Sequence, residues 1–120
     1  MESARNRVVH RNGGVFIADE VRPEFARTGE AFWGFDCHRV VPDIVTIGKP
    51  MGNSIPISGL FAKGNVLAAF SDEISYFNTI GGNPASMAAA QAVLKVINEE
   101  SLQQHSLRVG AELLKELQAL

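Results

Sequence analysis

One cysteine, Cys37, is all that the sequence holds, so no disulfide can form within the chain. A reducing compartment fits that, and the expected location is cytoplasmic. Long apolar runs are missing too: none approaches the roughly 20 residues that a bilayer requires. The opening Met-Glu-Ser-Ala-Arg-Asn-Arg has no apolar targeting core. Neither sign of charge dominates, since 11 Lys and Arg against 13 Asp and Glu leave a formal net charge of −2. That points away from nucleic acid and from acidic membrane surfaces. His10, His38 and His105 lack metal-ligand spacing, so they read as surface or packing residues and no metal is expected. No internal repeat, linker or low-complexity tract breaks the chain. What remains is 120 residues, 46% of them hydrophobic, enough for one small globular domain with a modest core.

The organising stretch runs from Asp43 to Gly59. The apolar run Ile44 to Ile47 stops at Gly48, and Lys49 follows at once, before the turn formers Pro50, Gly52, Asn53 and Pro56. The pattern predicts a buried strand that delivers one lysine into a tight loop. An ammonium group is strongly hydrated, so a lysine there either marks the solvent end of a strand or serves Schiff-base chemistry. The second role requires burial or nearby positive charge to lower the amine pKa. A P-loop is a weak alternative, because Gly48-Lys49 is followed by proline.

Upstream, Glu2 to Arg11 suits a short helix stopped at Gly13. Val15 to Ala18 is a short apolar run that suits a strand covered on both faces, as in a parallel sheet. It ends in Asp19-Glu20, and a carboxylate at that end of a parallel strand is either a ligand contact or a turn or cap residue. Arg22 to Val41 reads as a long irregular connection, with Phe32, Trp33 and Phe35 as packing aromatics and Arg27-Thr28-Gly29 as a solvated turn or an anion contact. Pro56 to Lys63 reads as a further strand and Val66 to Phe70 as a short helix. Asn83 is a good N-cap with Pro84 in the first turn of a helix whose stripe is Met87, Ala90, Leu94 and Ile97. A last helix from Ser101 aligns Leu102, Val109, Leu113, Leu117 and Leu120, with Gly110 allowing close approach to a neighbour.

Taken together, Gly14-Val-Phe-Ile-Ala-Asp-Glu-Val21, Arg27-Thr-Gly29, Pro42-Asp-Ile-Val-Thr-Ile-Gly-Lys49, Gly52-Asn53 with Ile55-Pro56, and Asn78-Thr79 with Gly81-Gly-Asn-Pro84 resemble the class III (omega-type) aminotransferases. The resemblance implies an α/β chain, part of the large domain of a fold type I, aspartate-aminotransferase-like enzyme that uses pyridoxal 5′-phosphate. Residues 1–120 would be a part of that cofactor-binding domain, without its N-terminal portion or the small domain. Lys49 would form the Schiff base and shuttle the proton, and Asp19 would pair with the pyridine nitrogen. Val21 would pack on the ring, and Thr79 would bind the phosphate from the neighbouring subunit of a homodimer. The implied activity is transfer of an amino group from an amine or amino acid to an oxo-acid or aldehyde. Lyase or aminomutase chemistry on the same pair is the alternative, as is a catalytically inactive structural piece. Arg22 stands where the family usually has a glutamine at the cofactor's phenolic oxygen, with Glu24 placed to neutralise it. Glu24 and Ser54 stand where glycine is usual, and Ile80 where phenylalanine is usual. A serine at position 54 is strained by roughly 1–2 kcal/mol if the loop needs a positive φ.

Overall fold

The computed structural model describes residues 4–120, with side chains from Asn6 onward. The first helix, α1, spans Ala4–Arg11, and the start of the helix expected from Glu2 lies outside the described residues. Gly13 follows at φ +72° and ends it as read. A three-stranded sheet comes next, in the order β1-β2-β3. β1 is Ile17–Asp19, β2 is Ile44–Ile47 and β3 is Gly59–Ala62. β1 and β2 are parallel neighbours, with Ile17 opposite Ile44 and Asp19 opposite Thr46. β3 pairs antiparallel with β2, Thr46 facing Leu60.

The second strand was legible to the residue, whereas the first begins two residues later than Val15. The cause is the partner: Phe16 is the residue whose carbonyl accepts from Asp43 and Ile44, so the ladder can only start there. The strand expected over Pro56–Lys63 contracts to its second half. Coverage on both faces is also not found. Ala18 and Ile47 are buried on one side, but Ile17 is 56% and Leu60 57% exposed on the other. The helices account for this. α4 (Pro84–Glu99) packs on the turn after β2 and on α5 (Leu102–Gln118), leaving the other sheet face open. Strand side chains alternate between faces, so Asp19 and Thr46 share that open face with Ile17 and Leu60.

One carboxylate pins the opposite end of the sheet. Asp43 is 8% exposed. Its Oδ1 accepts from Lys63 Nζ at 2.8 Å, and its Oδ2 meets His10 Nε2 at 2.7 Å and the Phe16 N–H at 2.8 Å. Its backbone N–H donates to Phe16 and its carbonyl accepts from Lys63. His10, read as an ordinary surface or packing histidine, is part of this tie between α1 and the three strands. The Lys63 ammonium first, then the Phe16 amide and His10, hold the Asp43 carboxyl well below the usual carboxylate range.

The long connection is ordered by aromatics, as expected, together with a short helix, α2 (Gly34–Cys37). Phe25 packs on Phe32 and Trp33, and Trp33 stacks on Phe35 with planes 8° apart and meets Phe61 edge-on. The Arg27-Thr28-Gly29 turn is not simply solvated. Gly29 sits at φ +77°, and a Cβ there would lie 2.5 Å from the Leu107 nitrogen of α5, so only glycine lets loop and helix touch. The short helix expected over Val66–Phe70 extends to Gly64–Glu73 as α3. Asn83 caps α4 as read, Oδ1 accepting from the Ala85 and Ser86 amides. The stripe differs: Ala90 is buried with Ala89, Val93 and Ile97 beside it, whereas Met87 and Leu94 are exposed. α5 likewise leaves Val109, Leu113 and Leu117 exposed, as is Leu120 just past its end. A Cβ at Gly110 would meet nothing within 4 Å, so the close approach expected there is absent among the described residues. No described helix is long and apolar enough to cross a membrane.

Candidate functional site

The C-terminal ends of β1 and β2 point the same way because the strands are parallel. That edge of a sheet is where α/β folds gather ligand contacts. Asp19 closes β1 there, exposed, with Oδ1 accepting from the Val21 amide and the Thr46 hydroxyl, both at 3.2 Å. The two donors fix the carboxylate's orientation. Oδ2 carries no hydrogen bond among the described residues. Lys49 lies three positions beyond Thr46, the register partner of Asp19. Strand geometry keeps the two Cα atoms within about 15 Å, a span that one aromatic ring and two side chains bridge. That spacing is compatible with a flat heterocycle held at opposite ends.

The turn bearing Lys49 is a single 3₁₀ turn, Lys49–Gly52. Lys49 itself has φ +23°, Asn53 +44° and Ser54 +82°. The positive φ at Ser54 means that the strain argued from sequence is present. An open cleft of about 1010 Å³ lies over this turn, lined by Lys49, Arg27, Ser54 and Ile57 and by Val93 and Ile97 of α4. Asp19 does not line it. It lines a separate, smaller hollow of about 480 Å³ with Thr28, Phe35 and His38. The structure therefore brings Asp19 and Lys49 to one sheet edge but not into one cavity. Burial of the lysine, expected from Schiff-base chemistry, is not found either: Lys49 is exposed on the turn. Val21 is half-buried beside Asp19, and Arg22 is exposed. Thr79 is exposed in the loop before α4 and does not line the Lys49 cleft.

Two carboxylates take parts that the sequence reading did not give them. Glu20 is buried, its Oε2 accepting from the Gly34 amide at 2.6 Å and its Oε1 from the Phe35 amide at 2.9 Å. A signal for it was present: Ala18 in, Asp19 out, Glu20 in continues the strand's period of two past its end. Glu24 was expected to neutralise Arg22. Instead it is 0% exposed, with Oε1 accepting from the Gly48 amide at 2.9 Å and Oε2 without a partner. Arg22 forms no ion pair among the described residues. The reason is geometric, since the Glu24 carboxyl is directed to the residue before Lys49. Burial raises the Glu24 pKa, the Gly48 amide opposes that, and the Glu20 and Asp19 charges add to it.

Comparison with known proteins gives the following. The family model described as Aminotransferase class-III matches residues 3–120. An alanine–glyoxylate aminotransferase 2-like protein of Drosophila melanogaster is 47% identical over 93% of this chain and 23% of its own length. The mitochondrial alanine–glyoxylate aminotransferase 2 of Homo sapiens is 45% identical over 89% of this chain and 21% of its own. Among solved structures, a phospholyase from Arthrobacter in complex with phosphoethanolamine superposes with a TM-score of 0.89 at 37% identity, over 98% of this chain and 29% of that one. The chain therefore spans about a quarter of the length of these relatives. The mitochondrial name of the human relative contradicts the cytoplasmic location inferred from Cys37. A lone free cysteine is common to every reducing compartment and does not choose between them.

Proposed function

This chain belongs to the class-III aminotransferases, with the α/β architecture of fold type I, and from that premise we propose that it carries the lysine and aspartate of a pyridoxal-5′-phosphate-dependent transaminase. The whole protein moves an amino group from an amine or amino acid to an oxo-acid or aldehyde. Residues 1–120 are then part of its large, cofactor-binding domain. The observation carrying the reading is the common exit of Asp19 and Lys49 from neighbouring parallel strands.

When bound, pyridoxal phosphate supplies a sink for the electrons left behind as a substrate C–H bond breaks. Lys49 would hold the cofactor through Nζ, and the same amine would carry the proton that is moved. Asp19 presents a negative charge of fixed direction, with Val21 and Thr46 holding Oδ1 and Oδ2 left to accept a ring N–H. Val21, half-buried beside Asp19, would pack on the ring face, and Arg22 would meet the phenolic oxygen. Thr79 serves the site of a neighbouring subunit in a homodimer. Its exposed position among Tyr76, Phe77 and Ile80, all open to solvent, supports that.

The test is attachment. Pyridoxal phosphate is added, the adduct is fixed with borohydride, and peptides are mapped. Label on Lys49, lost in Lys49→Ala, is the expected result. Label on Lys63 or Lys95 with none on Lys49 would sink the assignment. A second reading, elimination chemistry on the same pair, draws support from the Arthrobacter phospholyase likeness. In a chain extended to the relatives' full length, phosphate release from phosphoethanolamine selects that reading, and amino transfer to an oxo-acid selects the first.

A further inference from the structure

We propose that Glu24 is the positioning residue for Lys49: its buried carboxyl clamps the Gly48 amide and so holds the strained turn that presents the lysine amine. The inference rests on the reading of Lys49 as the attachment point and extends it to a residue outside the motif roles.

The geometry is specific. Glu24 and Gly48 are 24 positions apart in sequence and 2.9 Å apart at Oε1 and N. Gly48 is gripped from both sides, because its carbonyl accepts from the Met51 amide at 2.9 Å. The next residue is Lys49 at φ +23°, outside the conformations that a lysine adopts freely. Such a residue persists only where its surroundings over-determine it. The clamp is itself anchored, since the Glu24 amide donates to Glu20 at 3.0 Å and Phe25 and Ala26 behind it are buried. The carboxyl is not there for stability alone. Oε2 is buried without a donor, an arrangement that costs roughly 1–3 kcal/mol. Burial, and after it the Glu20 and Asp19 carboxylates, raise its pKa against the Gly48 hydrogen bond. A side-chain amide of the same length offers the Gly48 N–H the same acceptor oxygen, whereas alanine offers none.

The experiment uses the 120-residue chain with three variants, Glu24→Gln, Glu24→Asp and Glu24→Ala. Exchange of the Gly48 amide is followed by NMR against Val45 in β2. Pyridoxal phosphate labelling of Lys49 is measured against Lys95, whose side chain is 70% exposed on α4. In Glu24→Ala, Gly48 is expected to exchange roughly tenfold faster and the Lys49-to-Lys95 ratio to fall several-fold. Glu24→Gln restores both to within about twofold, since its carbonyl oxygen replaces Oε1. Glu24→Asp, one methylene too short to reach, behaves like alanine and serves if the alanine variant does not fold. Unchanged Gly48 exchange and an unchanged ratio in both Ala and Asp variants would overturn the proposal, as would a Gln variant no better than Ala. If Gly48 responds while the unmodified chain is labelled only at other lysines, the attachment reading falls and the positioning role falls with it, the clamp alone surviving.

Discussion

Asp43 and Glu24 are both buried carboxylates, one at each end of the same short sheet, and they are perturbed in opposite directions. Asp43 faces an ammonium, an imidazole and a backbone amide, and its carboxyl holds its charge far down in pH. Glu24 faces one amide and keeps an empty oxygen, and burial pushes its carboxyl up. Burial alone thus does not decide the fate of a carboxylate. The number of donors that reach it does. The two ends divide the labour accordingly. At the Asp43 end α1, β1, β2 and β3 are tied together. At the other end the backbone is bent into left-handed conformations at Lys49, Asn53 and Ser54, and Lys49 and Asp19 are left exposed.

The sharpest way to break this contrast is Asp43→Ala. It strips three donors of their acceptor and leaves Lys63 and His10 without their carboxylate. A loss of roughly 3 kcal/mol is expected in urea unfolding. The same tie has a pH signature. Asp43 titrates far lower in the folded chain than its ordinary 3.8. Its contribution is fully present above that ordinary value and is lost as pH falls below it toward the folded pKa. Acid unfolding curves of the parent should therefore steepen below about pH 4, and those of Asp43→Ala should not. Equal slopes would refute the tie.

A smaller change sharpens the other end. Ser54→Gly relieves a left-handed residue at roughly 1–2 kcal/mol but adds unfolded-chain entropy of about half that, so a net gain of about 0.5–1 kcal/mol is expected. No gain in urea midpoint would mean that the turn is relaxed despite its φ of +82°. The smallest effect belongs to neither end. Arg108→Ala removes an exposed ion pair with Glu112 at 3.3 Å on α5 and is expected to cost less than about 0.5 kcal/mol.

What the sequence disclosed follows the same division. β2 is legible because an apolar run is bounded by Asp43 and Gly48, and α4 because Asn83-Pro84 is a local start signal. The Asp19 and Lys49 positions are legible for the same local reason. The partners of Glu20 and Glu24 are not. Their carboxyls are held by amides of Gly34, Phe35 and Gly48, 14 to 24 residues away, and although the alternation continuing past β1 turns Glu20 inward, no local pattern names those amides. The α4 stripe was misplaced because Met87 and Leu94 satisfy helical spacing as well as Val93 does. Which stripe turns inward is set by the turn after β2 that the helix packs on.

The Asp43 tie also governs the order in which the chain can assemble. Its side-chain partners lie 33, 27 and 20 residues away along the sequence. Loop-closure entropy grows only with the logarithm of length, so the longest and shortest of these loops differ by less than about 0.5 kcal/mol. No one of the three is strongly favoured as the first to close. Once any of them has formed, the remaining partners are delivered by strands already in register, and each later contact closes a much smaller loop. A carboxylate whose partners all arrive from afar is therefore a meeting point rather than a nucleus: it records that the sheet has come together, and it is the last place where a mispaired register would go unnoticed.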